Sequence, residues 1–317
     1  MKRLLPGLVL LCLLPSCVEA NPDIGNSFST PTISALAHSP TATESQVVSL
    51  RPPSMTATQL PTPTLTPTPL PSSWQEWPVI PIVPSRMIEI HRLGIEAGNN
   101  PLAFSKIGDG EISANWFFIA FDNGPQCYDL GPYTDLQIVI DAFTGSFARQ
   151  SLAAGPGFST LHVLDPMTAD YASCENGETP LECELRMHQP SFAILSMGTS
   201  QAWRVEEFET DMREIIHILL DHGVVPILST KGDNLEGDHS INKIIVELAQ
   251  EYQVPLWNFW LAIQPLPRHG LQLDLEHLTW APTDLDDPQA MSYAWPWRNL
   301  TALQALEAVW NAVRVRP

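Results

Sequence analysis

The chain has 317 residues, 44% of them apolar, with 35 Asp and Glu against 16 Lys and Arg, a formal charge of −19. That balance suits a soluble globular protein with a sizeable core, and it leaves no basic footprint for nucleic acid or anionic lipid. Between positions 18 and 73 the only acids are Glu19, Asp23 and Glu44, so the negative charge belongs to the rest of the chain.

Residues 1–17 read as an export signal: Lys2 and Arg3, an apolar run over residues 4–14, then Pro15-Ser16-Cys17. The run is shorter than the roughly 20 residues a membrane span needs. Its end, Leu14-Pro15-Ser16-Cys17, resembles a bacterial lipobox, which implies acylation at Cys17 and a lipid anchor on the outer side of the membrane. Pro15 departs from the small residue usual there, so plain secretion stays open as the second reading. Residues 18–73 are dominated by Pro, Thr and Ser and hold too few large apolar residues to offset their ordering entropy. A disordered, polyproline-like stalk is expected, with a reach on the order of 150 Å.

The folded domain is expected over residues 74–317. Export places Cys127, Cys174 and Cys183 in an oxidising compartment. Cys174 and Cys183 flank a short Gly/Glu/Pro-containing loop and are the expected pair; such a loop contributes about 3 kcal/mol at most. Cys127 is then left over and is expected as a buried, inert thiol.

In chain order, Ser85 caps a helix whose buried face is expected to hold Met87, Ile90, Leu93 and Ala97, ended by Gly98. A short buried strand follows over residues 104–108, then a sharp Gly108-Asp109-Gly110 turn. From Gly110 an apolar helix is expected to run through Trp116, Phe117 and Ile119. A loop and a further helix, capped near Asp135 and reaching Phe143, come next. Residues 149–183 read as irregular and long, as functional loops often are.

Beyond them the pattern is regular. Strands are expected at residues 191–197, 224–228 and 255–260. Between them, Phe208, Met212, Ile215, Ile216 and Leu219 share one helical face, and Ile241, Ile244, Ile245, Leu248 and Ala249 share another, in a helix capped by Ser240. A final helix is expected over residues 300–315. Strands of five to seven residues alternating with amphipathic helices argue α/β: a three-layer, flavodoxin-like α/β/α sandwich around a mainly parallel sheet.

In such sheets ligands bind where strands end. The polar stretches that follow strands are residues 108–113, residues 198–201 and residues 230–234; Lys231, Asp233 and Asn234 are expected to line a cleft. A fourth stretch, residues 273–279, carries Asp274 and His277, whose spacing can set a carboxylate against an imidazole and so prepare a general base. Trp257, Trp260, Trp280, Trp295 and Trp297 cluster late, and exposed indole faces can stack on sugar rings. His217 and His222 are five apart on a helix and no Gly-rich phosphate loop is present, so neither metal nor cofactor is expected.

The order of these pieces resembles the SGNH/GDSL hydrolases over residues 102–315. Gly108-Asp109-Gly110 stands where that family has its Gly-Asp-Ser turn, Gly155 where it has its second glycine, Gly198-Thr199-Ser200-Gln201 where it has Gly-x-Asn-Asp, and Asp274-Leu275-Glu276-His277 where it has Asp-x-x-His, followed by Leu278-Thr279. The resemblance implies a cleft built on Asp109, Gly110, Gly155, Gly198 and Ser200, with His277 and Asp274 as its catalytic dyad. Two departures stand out: Gly110 occupies the place of the nucleophilic serine, and Ser200 that of the oxyanion asparagine. Ser113 is one substitute nucleophile, and direct activation of water by His277, oriented by Asp109 or Glu111, is another. Two functions follow as alternatives: an exported esterase acting on acylated carbohydrate or lipid, or an inactive relative that binds a glycan or acyl ligand at the cell surface; a structural envelope protein on a stalk is the third reading.

Overall fold

The computed structural model describes residues 70–314, which fall in the second of two compact units, Leu70–Pro317. The export signal, Cys17 and nearly all of the expected stalk lie outside the described residues. Helix α1 (Arg86–Ala97) buries Met87, Ile90 and Gly94 and ends at Gly98, whose φ is 104°. Leu93, expected on that face, is exposed. Gly94 replaces it because the helix rests directly on another backbone: a Cβ there would stand 2.1 Å from the Gly223 carbonyl oxygen.

Strand β1 (Asn100–Gly108) begins exposed and is buried from Phe104 onward. Past it, the expected long helix is two single turns, α2 (Gly110–Ser113) and α3 (Ile119–Asp122). Phe118, between them, has φ 68°. Its N–H donates to Asn299 Oδ1 at 3.0 Å, and Asn299 Nδ2 donates to the Trp116 carbonyl at 3.0 Å. One side chain thus replaces the missing helical hydrogen bonds. Phe117 and Phe118 turn into the core while Trp116 stays half exposed.

Asp135 is not a cap. It sits within a 3₁₀ turn (Gly131–Leu136), and α4 (Gln137–Ala142) starts after it. Residues 149–183 are more ordered than expected: α5 (Thr160–Leu164) carries a capping box between Ser159 and His162, and α6 (Pro180–His188) one between Thr179 and Glu182. Cys174 and Cys183 are joined in a disulfide, with Cys183 inside α6. Cys127 is half-buried, not buried, with its sulfur 3.5 Å from the Asn123 carbonyl.

The remaining elements are β2 (Pro190–Ser196), α7 (Val205–Asp221), β3 (Val225–Ser229), α8 (Ser240–Tyr252), β4 (Leu256–Trp257), α9 (Phe259–Ile263) and α10 (Ala294–Val313). The apolar faces expected on α7 and α8 are buried as sets. His239 rather than Ser240 occupies the cap position of α8. The strand expected to Trp260 stops at Trp257 because Asn258 takes over: its Oδ1 accepts the Leu261 N–H and its Nδ2 donates to the Trp74 and Trp77 carbonyls. α10 starts six residues earlier than expected, since Pro296 lies in its first turn, where no intrahelical N–H is needed.

The four strands form one all-parallel sheet in the order β1-β2-β3-β4. Helices α1 and α10 pack on each other and on β3, while α5 and α6 pack on β1 and α7 and α8 on β3. The architecture is α/β and consistent with a flavodoxin-like three-layer sandwich. At the end of β1, Gly108 makes a parallel bridge with Ala154, with Gly108 N–H donating to the Ala153 carbonyl and Gly155 N–H donating to the Gly108 carbonyl. This short pairing brings residues 154–157 to the end of β1.

Candidate functional site

The carboxyl ends of β1 and β2 open into a cleft of about 320 Å³, lined by Asp109, Gly110, Glu111, Pro156, Gly157, Thr199, Ser200, His277 and others. Gly108 sets its base. Its φ is 144°, and a Cβ would lie 1.8 Å from the Ser196 carbonyl oxygen, so only glycine lets β1 leave the sheet here. Asp109 follows, buried, and caps α2: its Oδ1 accepts the Glu111 N–H at 3.1 Å. Burial pushes the Asp109 carboxyl up to about 6, against the opposing hydrogen bond from Glu111, the charge of Arg298 and the hydrogen bond from Thr199.

Gly110 faces the cleft with room to spare: a Cβ would meet only the Pro156 Cα, at 3.8 Å. The expected stand-in, Ser113, does not line the cleft; its hydroxyl turns back to the Gly110 carbonyl at 3.4 Å. Ser200 lines the cleft, Gly198 precedes it at φ 125°, and Gly155 is held beside Gly108.

His277 and Asp274 meet as the spacing predicts, though in a loop, with Leu275 at φ 60°. The imidazole Nδ1 lies 2.8 Å from Asp274 Oδ2, and Asp274 Oδ1 accepts the His277 N–H at 3.0 Å. Backbone N–H donation from Glu276, with the His277 ring and N–H, holds the Asp274 carboxyl down near 2. The Asp274 hydrogen bond raises the His277 pKa above its ordinary value. Among the described residues, no hydroxyl is hydrogen-bonded to the His277 ring.

Lys231 and Asp233 do not line the cleft. Both are buried behind it, where Lys231 Nζ contacts Asp233 Oδ1 and pairs with Glu236 at 2.6 Å, and Thr199 Oγ1 donates to Asp233 Oδ2 at 2.6 Å. Asn234, expected beside them, is also outside the lining and accepts the His239 N–H. With its charge met by two carboxylates, Lys231 has none left for a ligand; the trio instead anchors the loop that carries Thr199 and Ser200.

Trp116 and Arg298 escaped the sequence, and Glu111 was expected only as a group that orients water. Trp116, expected within a core helix, is 51% exposed and stands with Trp280, 53% exposed, and buried Trp295 around the cleft, with ring centroids 6.4–6.5 Å from Trp116. Glu111 lines the floor with a side chain 14% exposed and an Oε1 that has no hydrogen-bond partner. Arg298 is fully buried beneath it, packed on the rings of Phe117, Trp257, Phe259 and Trp295. A lone Arg on the buried face of an apolar helix was the available signal. Among the described residues, Cys174, Glu178 and Cys183 lie close enough to suggest a metal, but both sulfurs are spent on the disulfide.

No family model matches this chain, and no curated protein matches it in sequence.

Proposed function

We propose that residues 70–314 form an SGNH-hydrolase-type domain that binds a carbohydrate-bearing ligand and carries no covalent nucleophile. Support for the type comes from four separated pieces at one cleft: the Gly-Asp-Gly turn after β1; residues 156–157 next to Gly155, which pairs with Gly108; Thr199 and Ser200 after β2; and His277, held from outside the lining by Asp274. The observation that carries the function is Gly110 at the cleft floor, together with a dyad whose imidazole meets no hydroxyl among the described residues. A base without a nucleophile does not acylate. The ligand class rests on Trp116 and Trp280, two half-exposed indoles that line the cleft. The signal, the lipobox-like Cys17 and the Pro/Thr/Ser-rich segment support display of this domain outside the membrane, on a lipid-anchored stalk.

The test pairs chemistry with binding. The protein is treated with a fluorophosphonate probe and with acetylated and unacetylated oligosaccharides, and binding is followed through tryptophan fluorescence. Saccharide binding that weakens in Trp116→Ala and Trp280→Ala, without labelling or ester turnover, is expected. Ester turnover lost in His277→Ala would reject the reading in favour of an active esterase.

A further inference from the structure

We infer that Glu111, backed by Arg298, is the polar floor that selects an uncharged polyhydroxyl ligand, a neutral sugar, over carboxylated or sulfated ones. This rests on the carbohydrate reading of the cleft and goes further by naming the charge class of the ligand and the residue that sets it.

The floor is incomplete as it stands. Among the described residues, Glu111 Oε1 is buried and has no hydrogen-bond partner. Arg298 gives one hydrogen bond, from Nη2 to Ser196 Oγ at 2.8 Å, and its Nη1 stands 3.5 Å from Glu111 Oε2; Nη1 and Nε have no hydrogen-bond partner. Buried polar atoms are almost always paired, so a carboxyl with an orphan acceptor at a cleft floor is the place for a donor from a ligand, reached by a turn of the Glu111 side chain because Oε1 itself is closed to solvent. Gly110 beside it leaves the adjoining floor open. The Trp116 and Trp280 rings at the same cleft suit the C–H face of a sugar, whose hydroxyls project edgewise toward polar groups.

The charged groups around Glu111 come from every side: Arg298 on α10, Asp109 at the β1 turn, Asp233 and Lys231 beyond β3, and His277 and Glu276 from the loop opposite. Burial, with Asp109 and Asp233 adding to it and Arg298 and Lys231 opposing, pushes Glu111 up to about 8. At neutral pH the carboxyl is mostly protonated and can both donate to and accept from a hydroxyl. A ligand carboxylate or sulfate would instead meet Asp109 and Glu276, offset only by an occluded arginine and by His277, whose charge Asp274 already pairs.

The full-length chain is applied to an array of neutral, uronate-bearing and sulfated oligosaccharides, and the best neutral binder is titrated calorimetrically near pH 6.5 and near pH 9.5. Neutral sugars are expected to bind, with affinity falling about fivefold or more at the higher pH as Glu111 ionises. The fall is expected to vanish in Glu111→Gln and to persist in His277→Ala, which separates it from titration of the imidazole. Glu111→Ala is expected to weaken binding about tenfold. A preference for uronates or sulfates, or the same pH fall in Glu111→Gln, would overturn the role of Glu111 and leave the carbohydrate reading intact. Failure of the wild-type chain to bind any sugar would remove both.

Discussion

His277 and Asp274 are joined twice: ring Nδ1 to Oδ2 at 2.8 Å, and backbone N–H to Oδ1 at 3.0 Å. One carboxylate therefore sets the tautomer of the imidazole and also the turn that carries it. Such a double hold is what a general base needs in order to act without first being oriented. The group it would deprotonate is missing at Gly110, where the backbone leaves space for a side chain. On the proposed reading, the cleft holds an oriented base and lacks the nucleophile that such a base would serve.

Restoring that part is a direct test. In Gly110→Ser the new Cβ meets nothing closer than 3.8 Å, so the variant is expected to fold as the wild type does. It is expected to acquire turnover of p-nitrophenyl acetate and labelling by a fluorophosphonate, both lost on adding His277→Ala. With Ser200 in place of an amide donor, its rate should remain roughly 10²–10³ below that of a complete site. A folded Gly110→Ser protein with no labelling would show that His277 and residue 110 do not share a reaction geometry.

The Asp274 hydrogen bond also makes a prediction for the imidazole alone. Asp274 holds the His277 pKa above its ordinary value, so Asp274→Asn is expected to lower it toward about 6.5. Titration of the ring nitrogens by NMR in the two proteins measures this. Equal midpoints would mean that the pair does not persist in solution.

Much of the fold was legible because its signals are local. The buried faces of α7 and α8 follow from period 3.6, and the buried strands from short apolar runs between turns. Errors arose where a distant side chain overrides the local pattern. Asn299 breaks the helix expected after Gly110. Asn258 ends the last strand. Gly223 decides which face of α1 is buried. The site shows the same division. Asp274 and His277 are three apart and could be paired by spacing, whereas Glu111 and Arg298 are separated by most of the domain. Lys231 was misplaced for a related reason: a polar turn after a strand can face the cleft or turn under it, and only Glu236 and Asp233 decide which.

That buried trio has a measurable cost of disruption. Lys231→Met leaves Asp233 and Glu236 without their cation in the interior and is expected to destabilise the domain by about 3–5 kcal/mol. Lys243→Met, at an exposed position on α8, should change stability by no more than about 0.5 kcal/mol. Urea denaturation of both variants gives the comparison. Equal midpoints would mean that the trio is hydrated and contributes little.

Glu111 links the site to stability without any ligand. In the folded state its pKa is raised from 4.5 to about 8, mainly by burial. Between those values the folded chain binds more protons than the unfolded chain, so this group's contribution is fully present below 4.5 and is lost as pH rises through 8. Glutamine keeps the shape and cannot ionise. Relative to wild type, Glu111→Gln is therefore expected to gain Tm steadily from about pH 5 to about pH 8, with contributions from the other titrating groups largely cancelling in the difference. Asp109, raised to about 6 by the same burial, acts with the same sign over a lower and narrower window. Scanning calorimetry across that range measures the difference directly. A Tm gap that stays constant from pH 5 to pH 8 would mean that Glu111 ionises like an exposed carboxylate and that the floor of the cleft is wet.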